Sequence, residues 1–386
     1  MGHKELMVGN KAVAYGVVLS RVQVASAYPI TPQTTIVEYL ADFIASGKLD
    51  AKFIEVESEM SAQVSVQGAS WAGARTFTAT SGPGLLYMHH PMMGCRLPIV
   101  MAVVHRSNKS MQPDHTDLMA QRDTGWIHLY CEDNQEVLDT VIMSYRIAED
   151  DRVYLPVALG LDGYILSYTA EPVEIPDQDL VDSFLPPLKS RSAPHPDMTF
   201  EEWRANMSSG AGGYGTQEAW IDHHENMMNA KEVIKEVDEE FGRIFGRSYG
   251  GLYEEYNCEG AEAVIVAMGT IASTARPTID GLRDEGMEVG LIKLKSFRPF
   301  PHEEFREMAK KYNAFGVIDR NLSIGSGGVV YNELRSALYD VDDKPSVIGF
   351  HSGLSGVEVT PAMVRRMAEK TLKAARGPVE PPVEWV

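Results

Sequence analysis

A chain of 386 residues with 44% hydrophobic and 23% charged content carries enough apolar material for two globular domains, and this balance excludes intrinsic disorder. Its formal net charge of -19 excludes a protein that grips a nucleic-acid backbone, because that task needs a basic face. No run of about 18 uncharged apolar residues is present to span a bilayer. The opening Met1-Gly2-His3-Lys4-Glu5 lacks the basic-then-apolar pattern of a signal peptide, so a cytoplasmic location is expected.

Residues 22–28 read as a short strand ending at Pro29, and 34–44 carries apolar residues at helical spacing (Ile36, Tyr39, Leu40, Phe43, Ile44). Residues 53–56 predict the next strand, followed by a small-residue helix over 58–73, a strand over 75–80 and a turn at Ser81-Gly82-Pro83-Gly84. The apolar run 97–104 predicts a buried strand, 134–149 an amphipathic helix and 153–159 another strand. This alternation is the rhythm of a parallel sheet covered by helices.

Between 172 and 215, clusters of Pro, Ser and Gly break every period and predict a surface linker. Residues 222–245 place Val233, Ile234, Val237, Phe241 and Ile244 on one side of a helix, leaving its charge run on a solvated face. A second, smaller parallel α/β unit is expected from strands at 263–269, 289–294, 314–319 and 346–349, and no solenoid repeat is visible. The expected division is therefore 1–172, a linker and helical segment over 173–258, and 259–386.

Tyr28-Pro29-Ile30-Thr31-Pro32-Gln33-Thr34 is the most specific string. Prolines on either side hold the Thr31 hydroxyl on a stiff turn at the C-terminal edge of a strand, where α/β sheets bind ligands. The same string also suits a rigid turn with a helix N-cap. In Glu57-Ser58-Glu59-Met60-Ser61-Ala62, Glu59 opens a helix whose remaining face is small enough for a flat ring or another backbone to approach. Burial would suit it to protonating a ring nitrogen; the plainer alternative is an acid favoured by the helix dipole.

Arg106 ends a strand and suits bidentate capture of a carboxylate. The loop behind it contains Lys109, Asp114, His115 and Asp117 and can line a pocket, with His115 read as a solvent-facing loop histidine rather than a general acid or base. Ser81-Gly82-Pro83-Gly84 matches neither phosphate-loop pattern and is assigned close backbone approach to a ligand or partner; Gly325-Ser326-Gly327-Gly328 is a similar turn. Cys95, Cys131 and Cys258 are far apart and form no CxxC pair, so this chain alone builds neither a zinc site nor an iron–sulfur cluster.

Together these strings resemble the α subunits of the 2-oxoacid:ferredoxin oxidoreductase family, which oxidise pyruvate, 2-oxoisovalerate and related acids with coenzyme A. The likeness includes YPITPQT (28–34), VESEMSA (56–62), GARTFTATSGPGL (73–85), RLPIVMAVVHR (96–106), QRDTGWIHLYCEDNQEVLDT (121–140), LDGYILSYT (161–169), FRPFP (297–301) and IDRNLSIGSGG (318–328). It implies an α/β fold: a thiamine-diphosphate-binding, pyrimidine-type parallel-sheet domain plus a smaller transketolase C-terminal-like α/β domain.

By the resemblance, Glu59 matches the Glu that hydrogen-bonds the aminopyrimidine and drives the tautomer that deprotonates the thiazolium carbon. Thr31 and Arg106 match the residues that hold the substrate carboxylate. Tyr28, Pro29, Ser81 and Gly82 are expected beside the cofactor, and Lys109, Asp114 and His115 on the substrate loop. A β subunit is expected to hold the diphosphate and Mg2+ through Gly-Asp-Gly; this chain has only Leu161-Asp162-Gly163, in keeping with a divided site and no metal of its own. [4Fe-4S] clusters are expected in partner γ and ferredoxin-like δ subunits, with ferredoxin or an NAD-linked flavin subunit as acceptor.

The implied reaction is decarboxylation of the 2-oxoacid on the cofactor, one-electron oxidation through the clusters and transfer of the acyl group to coenzyme A. Pyruvate-type members carry a longer loop with a Trp between the Arg and the Asp-rich turn, whereas 106–117 here is shorter and has none. The expected substrate is therefore bulky, 2-oxoisovalerate-like or aromatic such as phenylglyoxylate, with pyruvate the alternative. Two other functions compete: a transketolase-like or decarboxylating thiamine enzyme without electron transfer, and a scaffold subunit with a decayed site.

Overall fold

The structure, a computed structural model, describes residues 2–191, 198–202 and 216–386. Its first strands are β1 (His3–Val8), β2 (Val24–Ala25), β3 (Lys52–Phe53), β4 (Thr76–Thr80), β5 (Ile99–His105), β6 (Ile127–Tyr130), β7 (Val157–Asp162) and β8 (Ala170–Ile175). They continue as β9 (Tyr253–Tyr256), β10 (Ala263–Ala267), β11 (Val289–Leu294), β12 (Ser296–Arg298), β13 (Ala314–Asp319), β14 (Ser346–His351) and β15 (Val383–Trp385).

β4 and β5 are buried along their whole length, and only runs such as Ile99-Val100-Met101-Ala102-Val103-Val104 tolerate burial on both faces of a parallel sheet. They lie at the centre of a seven-stranded sheet, ordered β12-β6-β7-β5-β4-β2-β3 and parallel except where β12 meets β6. A second, six-stranded sheet is ordered β15-β14-β13-β10-β11-β9, with only the edge strand β9 antiparallel. The mixed α/β architecture with parallel sheets agrees with the fold expected from the sequence.

Several local expectations are corrected. The strand expected over 22–28 is reduced to β2, and the rest runs as extended chain pinned by Ser26, whose N–H donates to the Phe77 carbonyl at 3.1 Å. Ser81–Gly84 is not a free turn: Gly82 already begins the helix Gly82–Tyr87. Tyr154 adopts a φ of 46°, which turns the chain and delays β7 to Val157.

The segment expected as a linker contains most of β8 and the helix Gln178–Phe184, while 192–197 and 203–215 lie outside the described residues. Pro172 is accommodated because β8 pairs only with β1, in a two-stranded ribbon where Leu6 faces it. The second sheet is not wholly parallel, because β9 runs back along β11. β12 leaves the second sheet's chain region and adds to the first sheet, Ser296 pairing with Leu129.

The two sheets share one apolar core, in which Met101, Val103, Trp126 and Tyr130 pack with Val264, Ile292, Phe297 and Phe315. A buried ion cluster fastens the same contact. Glu136, on the helix Asn134–Ala148, accepts from Lys293 Nζ at 2.8 Å and Lys295 Nζ at 2.7 Å, and Lys295 also reaches Thr140 Oγ1 at 2.9 Å. Burial alone would raise the Glu136 carboxyl, but the two ammonium groups hold it down to about 2. Among the described residues no helix is long and apolar enough to cross a membrane.

Candidate active site

Because β2, β4 and β5 are parallel neighbours, the segments leaving their C-terminal ends emerge side by side, at the edge where open α/β sheets bind ligands. The segment after β2 contains a tight turn, with Gln33 N–H donating to the Ile30 carbonyl at 2.7 Å. Buried Asn10 secures it by donating from Nδ2 to the Pro32 carbonyl at 2.8 Å and to Thr35 Oγ1 at 2.7 Å.

Arg106, at the end of β5, reaches across and donates from Nη1 to the Thr31 carbonyl at 3.0 Å, with a longer contact from Nε to the Ser110 carbonyl at 3.4 Å. Its Nη2 and the Thr31 hydroxyl bond to no described residue, so both can meet a carboxylate. Tyr28 and Pro29 are exposed on the same segment.

Ser81 and Gly82 join the end of β4 to that of β5. Buried Ser81 donates from Oγ to the Val104 carbonyl at 2.6 Å. Gly82 has a φ of 42°, in the left-handed region, and a Cβ there would lie 3.1 Å from Arg106 Cγ. Only glycine lets the backbone pass this close beneath the arginine.

Glu59 is the first residue of the helix Glu59–Trp71, where Ser58 caps by accepting from Ser61 N–H at 3.2 Å. Glu59 is 8% exposed, and its side chain receives no hydrogen bond from a described residue. Across from it, a Cβ on Gly84 would lie 2.6 Å from both Glu59 Oε1 and Thr80 Oγ1, and the Thr80 hydroxyl is itself buried without a partner among the described residues.

A buried acceptor, an idle hydroxyl and a wall thinned to bare backbone fit one edge of a flat nitrogen heterocycle such as the aminopyrimidine of thiamine. Met60, Val64, Leu86 and Tyr87 are exposed apolar side chains on the two helices that carry Glu59 and Gly84.

The loop after Arg106 departs from expectation. Lys109 is exposed, but His115 is only 1% exposed: its Nε2 lies 2.9 Å from Asp162 Oδ1 and its N–H donates to the Arg320 carbonyl at 2.9 Å. The expected solvent-facing histidine is thus corrected to a buried one held by the second sheet's chain. Burial, with Arg320 nearby, lowers its pKa and keeps the ring neutral.

Asp114 is also buried, accepting from Thr116 N–H at 3.0 Å and from Ser355 N–H at 2.8 Å. His105, His115 and Asp162 bring three metal-type ligand atoms within 4.8 Å of one another. Asp162 is already neutralised by Arg320 at 3.1 Å and bonded by Thr270 N–H at 3.0 Å and His115, while His105 meets His115 only ring to ring, so we read the trio as a structural contact between the sheets. Burial would raise the Asp162 carboxyl, but Arg320 and His115 hold it well below the usual carboxylate range.

At the Gly325–Gly328 turn, Asp319 and Asn321 already accept the first N–H groups of the helix Val329–Ala337. No anion-binding end is left there. Asn10, Thr80, His105 and Arg320 were not marked by sequence reasoning, because nothing local announces contacts made across tens or hundreds of residues.

The chain resembles known proteins along nearly its whole length. Residues 15–243 match the family described as pyruvate flavodoxin/ferredoxin oxidoreductase, thiamine diphosphate-binding, and 261–364 match pyruvate:ferredoxin oxidoreductase core domain II. The chain is 41% identical to pyruvate synthase subunit PorA of Pyrococcus horikoshii, covering 99% of this chain and 98% of that protein. It is 42% identical to ketoisovalerate oxidoreductase subunit VorA of the same organism, over 99% and 97%.

Among solved structures, a 2-oxoglutarate:ferredoxin oxidoreductase from Magnetococcus marinus superposes with a TM-score of 0.70 at 21% identity, covering 96% of this chain and 65% of that one. A split-gene transketolase superposes with a TM-score of 0.56 at 16% identity, over 95% and 99%. Both similarities bear on fold alone; with the family match they agree with a thiamine-diphosphate-binding domain followed by a transketolase C-terminal-like one. On the family match and the near full-length relatives, this chain belongs to the 2-oxoacid:ferredoxin oxidoreductases, as an α subunit.

Proposed function

We propose that this chain supplies the half-site that activates thiamine diphosphate and grips the carboxylate of a 2-oxoacid undergoing oxidative decarboxylation to an acyl-CoA. The observation that carries the reading is Glu59, a buried residue whose carboxyl group receives no hydrogen bond from a described residue and faces bare backbone at Gly84. When bound, thiamine diphosphate supplies a carbon nucleophile and a sink for the electron pair released with CO2.

In this reading Glu59 exchanges a proton with a ring nitrogen, at an atom sheltered from water, where such a contact is strongest. Arg106 Nη2 and the Thr31 hydroxyl orient the substrate carboxylate, and Ser81 and Gly82 keep the floor beneath Arg106 low. The exposed Met60, Val64, Leu86 and Tyr87 beside Glu59 support coverage by a β subunit that carries the diphosphate and Mg2+.

Cys95, Cys131 and Cys258 are buried, separate thiols whose burial pushes their pKa values up, to about 11, 12 and 11 respectively. Clusters are accordingly assigned to γ and δ partner subunits, with ferredoxin as the acceptor.

For the substrate, the 106–117 loop without a Trp supports a bulky acid, 2-oxoisovalerate-like or aromatic. The likeness to a pyruvate synthase subunit, 41% against 42% for the ketoisovalerate relative, favours pyruvate as the second reading. Turnover of pyruvate, 2-oxoisovalerate and phenylglyoxylate by the purified complex decides between them. A higher kcat/KM for either bulky acid is expected, and pyruvate turning over best would overturn that assignment.

Arg106→Lys is expected to lower kcat/KM for the preferred acid on the order of 10- to 100-fold, about 1.5–3 kcal/mol, because an ammonium cannot hold the Thr31 carbonyl and a carboxylate in one plane. Steady-state kinetics with the acid varied would show it.

A further inference from the structure

Asp117 touches neither proposed ligand, yet it is completely buried beside the strand ends that form the site. Its carboxylate receives four donors. Oδ2 accepts from Arg106 N–H at 2.9 Å and Gly82 N–H at 3.2 Å; Oδ1 accepts from Leu118 N–H at 2.7 Å and lies 2.9 Å from His105 Nδ1. Since a carboxylate can only accept, His105 carries its proton on Nδ1 in this contact. One oxygen therefore ties the end of β5 to the end of β4, at the two residues whose backbones set the height of the Arg106 guanidinium above Gly82.

The other oxygen is braced from behind. The His105 ring stacks on Tyr130 with centroids 5.2 Å apart and an interplanar angle of 17°, and lies 4.8 Å from the His115 ring. His115 is bonded to Asp162, which is held by Thr270 and Arg320 from the second sheet's chain. A plain helix-capping role does not account for this. The helix Thr116–Met119 is four residues long, and only one of the four donors, Leu118 N–H, belongs to it.

We infer that Asp117 is a positioning residue for substrate capture: by bridging Gly82 and Arg106 it fixes where Arg106 presents its free Nη2 to the 2-oxoacid carboxylate. The inference rests on the reading of Arg106 given above. Asp117→Asn preserves size, but its amide NH2 must oppose either the Arg106 and Gly82 donors or those of His105 and Leu118.

The test is steady-state kinetics of the assembled complex with 2-oxoacid and coenzyme A varied in turn, for Asp117→Asn, Arg106→Ala, the double variant and His105→Phe. Asp117→Asn is expected to raise KM for the 2-oxoacid about 10- to 100-fold, while KM for coenzyme A stays within about twofold. The double variant is expected to be no worse than Arg106→Ala by more than about twofold, because both act through one contact. His105→Phe, which removes the donor behind Oδ1, is expected to shift the same KM in the same direction.

An unchanged 2-oxoacid KM in Asp117→Asn, or in His105→Phe should the first variant not assemble, overturns the inference. So do losses that multiply in the double variant. If Arg106→Ala itself leaves that KM unmoved, it is the reading of Arg106 that fails.

Discussion

Replacing Glu59 with Gln is expected to lower kcat at least about 100-fold, in the range that general acid–base catalysis contributes, while the complex still assembles and melts near its usual temperature. The two halves of that expectation come from one observation. Glu59 is buried but receives no hydrogen bond from a described residue, so exchanging its carboxyl for an amide of equal size breaks no hydrogen bond among them. What the amide cannot do is carry a proton to or from a ring nitrogen.

A folding residue would show the reverse pattern, with stability lost and the rate per folded complex kept. A scaffold subunit would be indifferent in rate. A thiamine enzyme without electron transfer would instead form product in the absence of any cluster-bearing partner. Acceptor-reduction assays of the complex, paired with scanning calorimetry, separate these outcomes.

The largest stability effect is expected at Glu136. Changing it to Gln leaves Lys293 and Lys295, both almost fully buried, without their shared counter-charge, and should cost about 3–5 kcal/mol. The pH dependence follows in sign. The Glu136 carboxyl is held at about 2 in the fold against an ordinary 4.5, so its contribution is complete above about 4.5 and is lost as pH falls through about 2.

Neighbouring Asp133 works the other way. Burial raises it to about 6, so its share of stability is present below its ordinary 3.8 and lost as pH rises through 6. The difference between wild type and Glu136→Gln reads mainly the first effect, and in the variant Asp133 loses the Glu136 charge that helps to raise it. Urea melts across pH 2–6 should show that gap closing toward the acid end, and a gap independent of pH would count against the buried ion cluster.

The central strands were legible because full burial demands unbroken apolar runs. β11 and β13 have the bounds read from sequence, and the helix Thr34–Ala45 differs by a single residue at its end. What escaped is long-range pairing with no local signal. β12 returns to the first sheet beside β6, and β1 is held by a strand that contains Pro172.

The site divides in the same way. Thr31, Glu59 and Arg106 stand in distinctive strings, but the burial of His115 depends on Asp162 and Arg320, residues that no periodicity in the loop could announce. Likewise the string at Ser81–Gly84 marked a close approach without revealing that Glu59 is what Gly84 admits.

The proposed chemistry depends on Glu59 meeting a thiamine ring brought by another chain. A structure of the assembled complex loaded with thiamine diphosphate and Mg2+ tests this most directly. The expected result is a Glu59 carboxyl oxygen about 3 Å from a pyrimidine ring nitrogen with no water between them, and the diphosphate held on a partner subunit. A Glu59 side chain surrounded by solvent, with the ring bound elsewhere, would contradict the account.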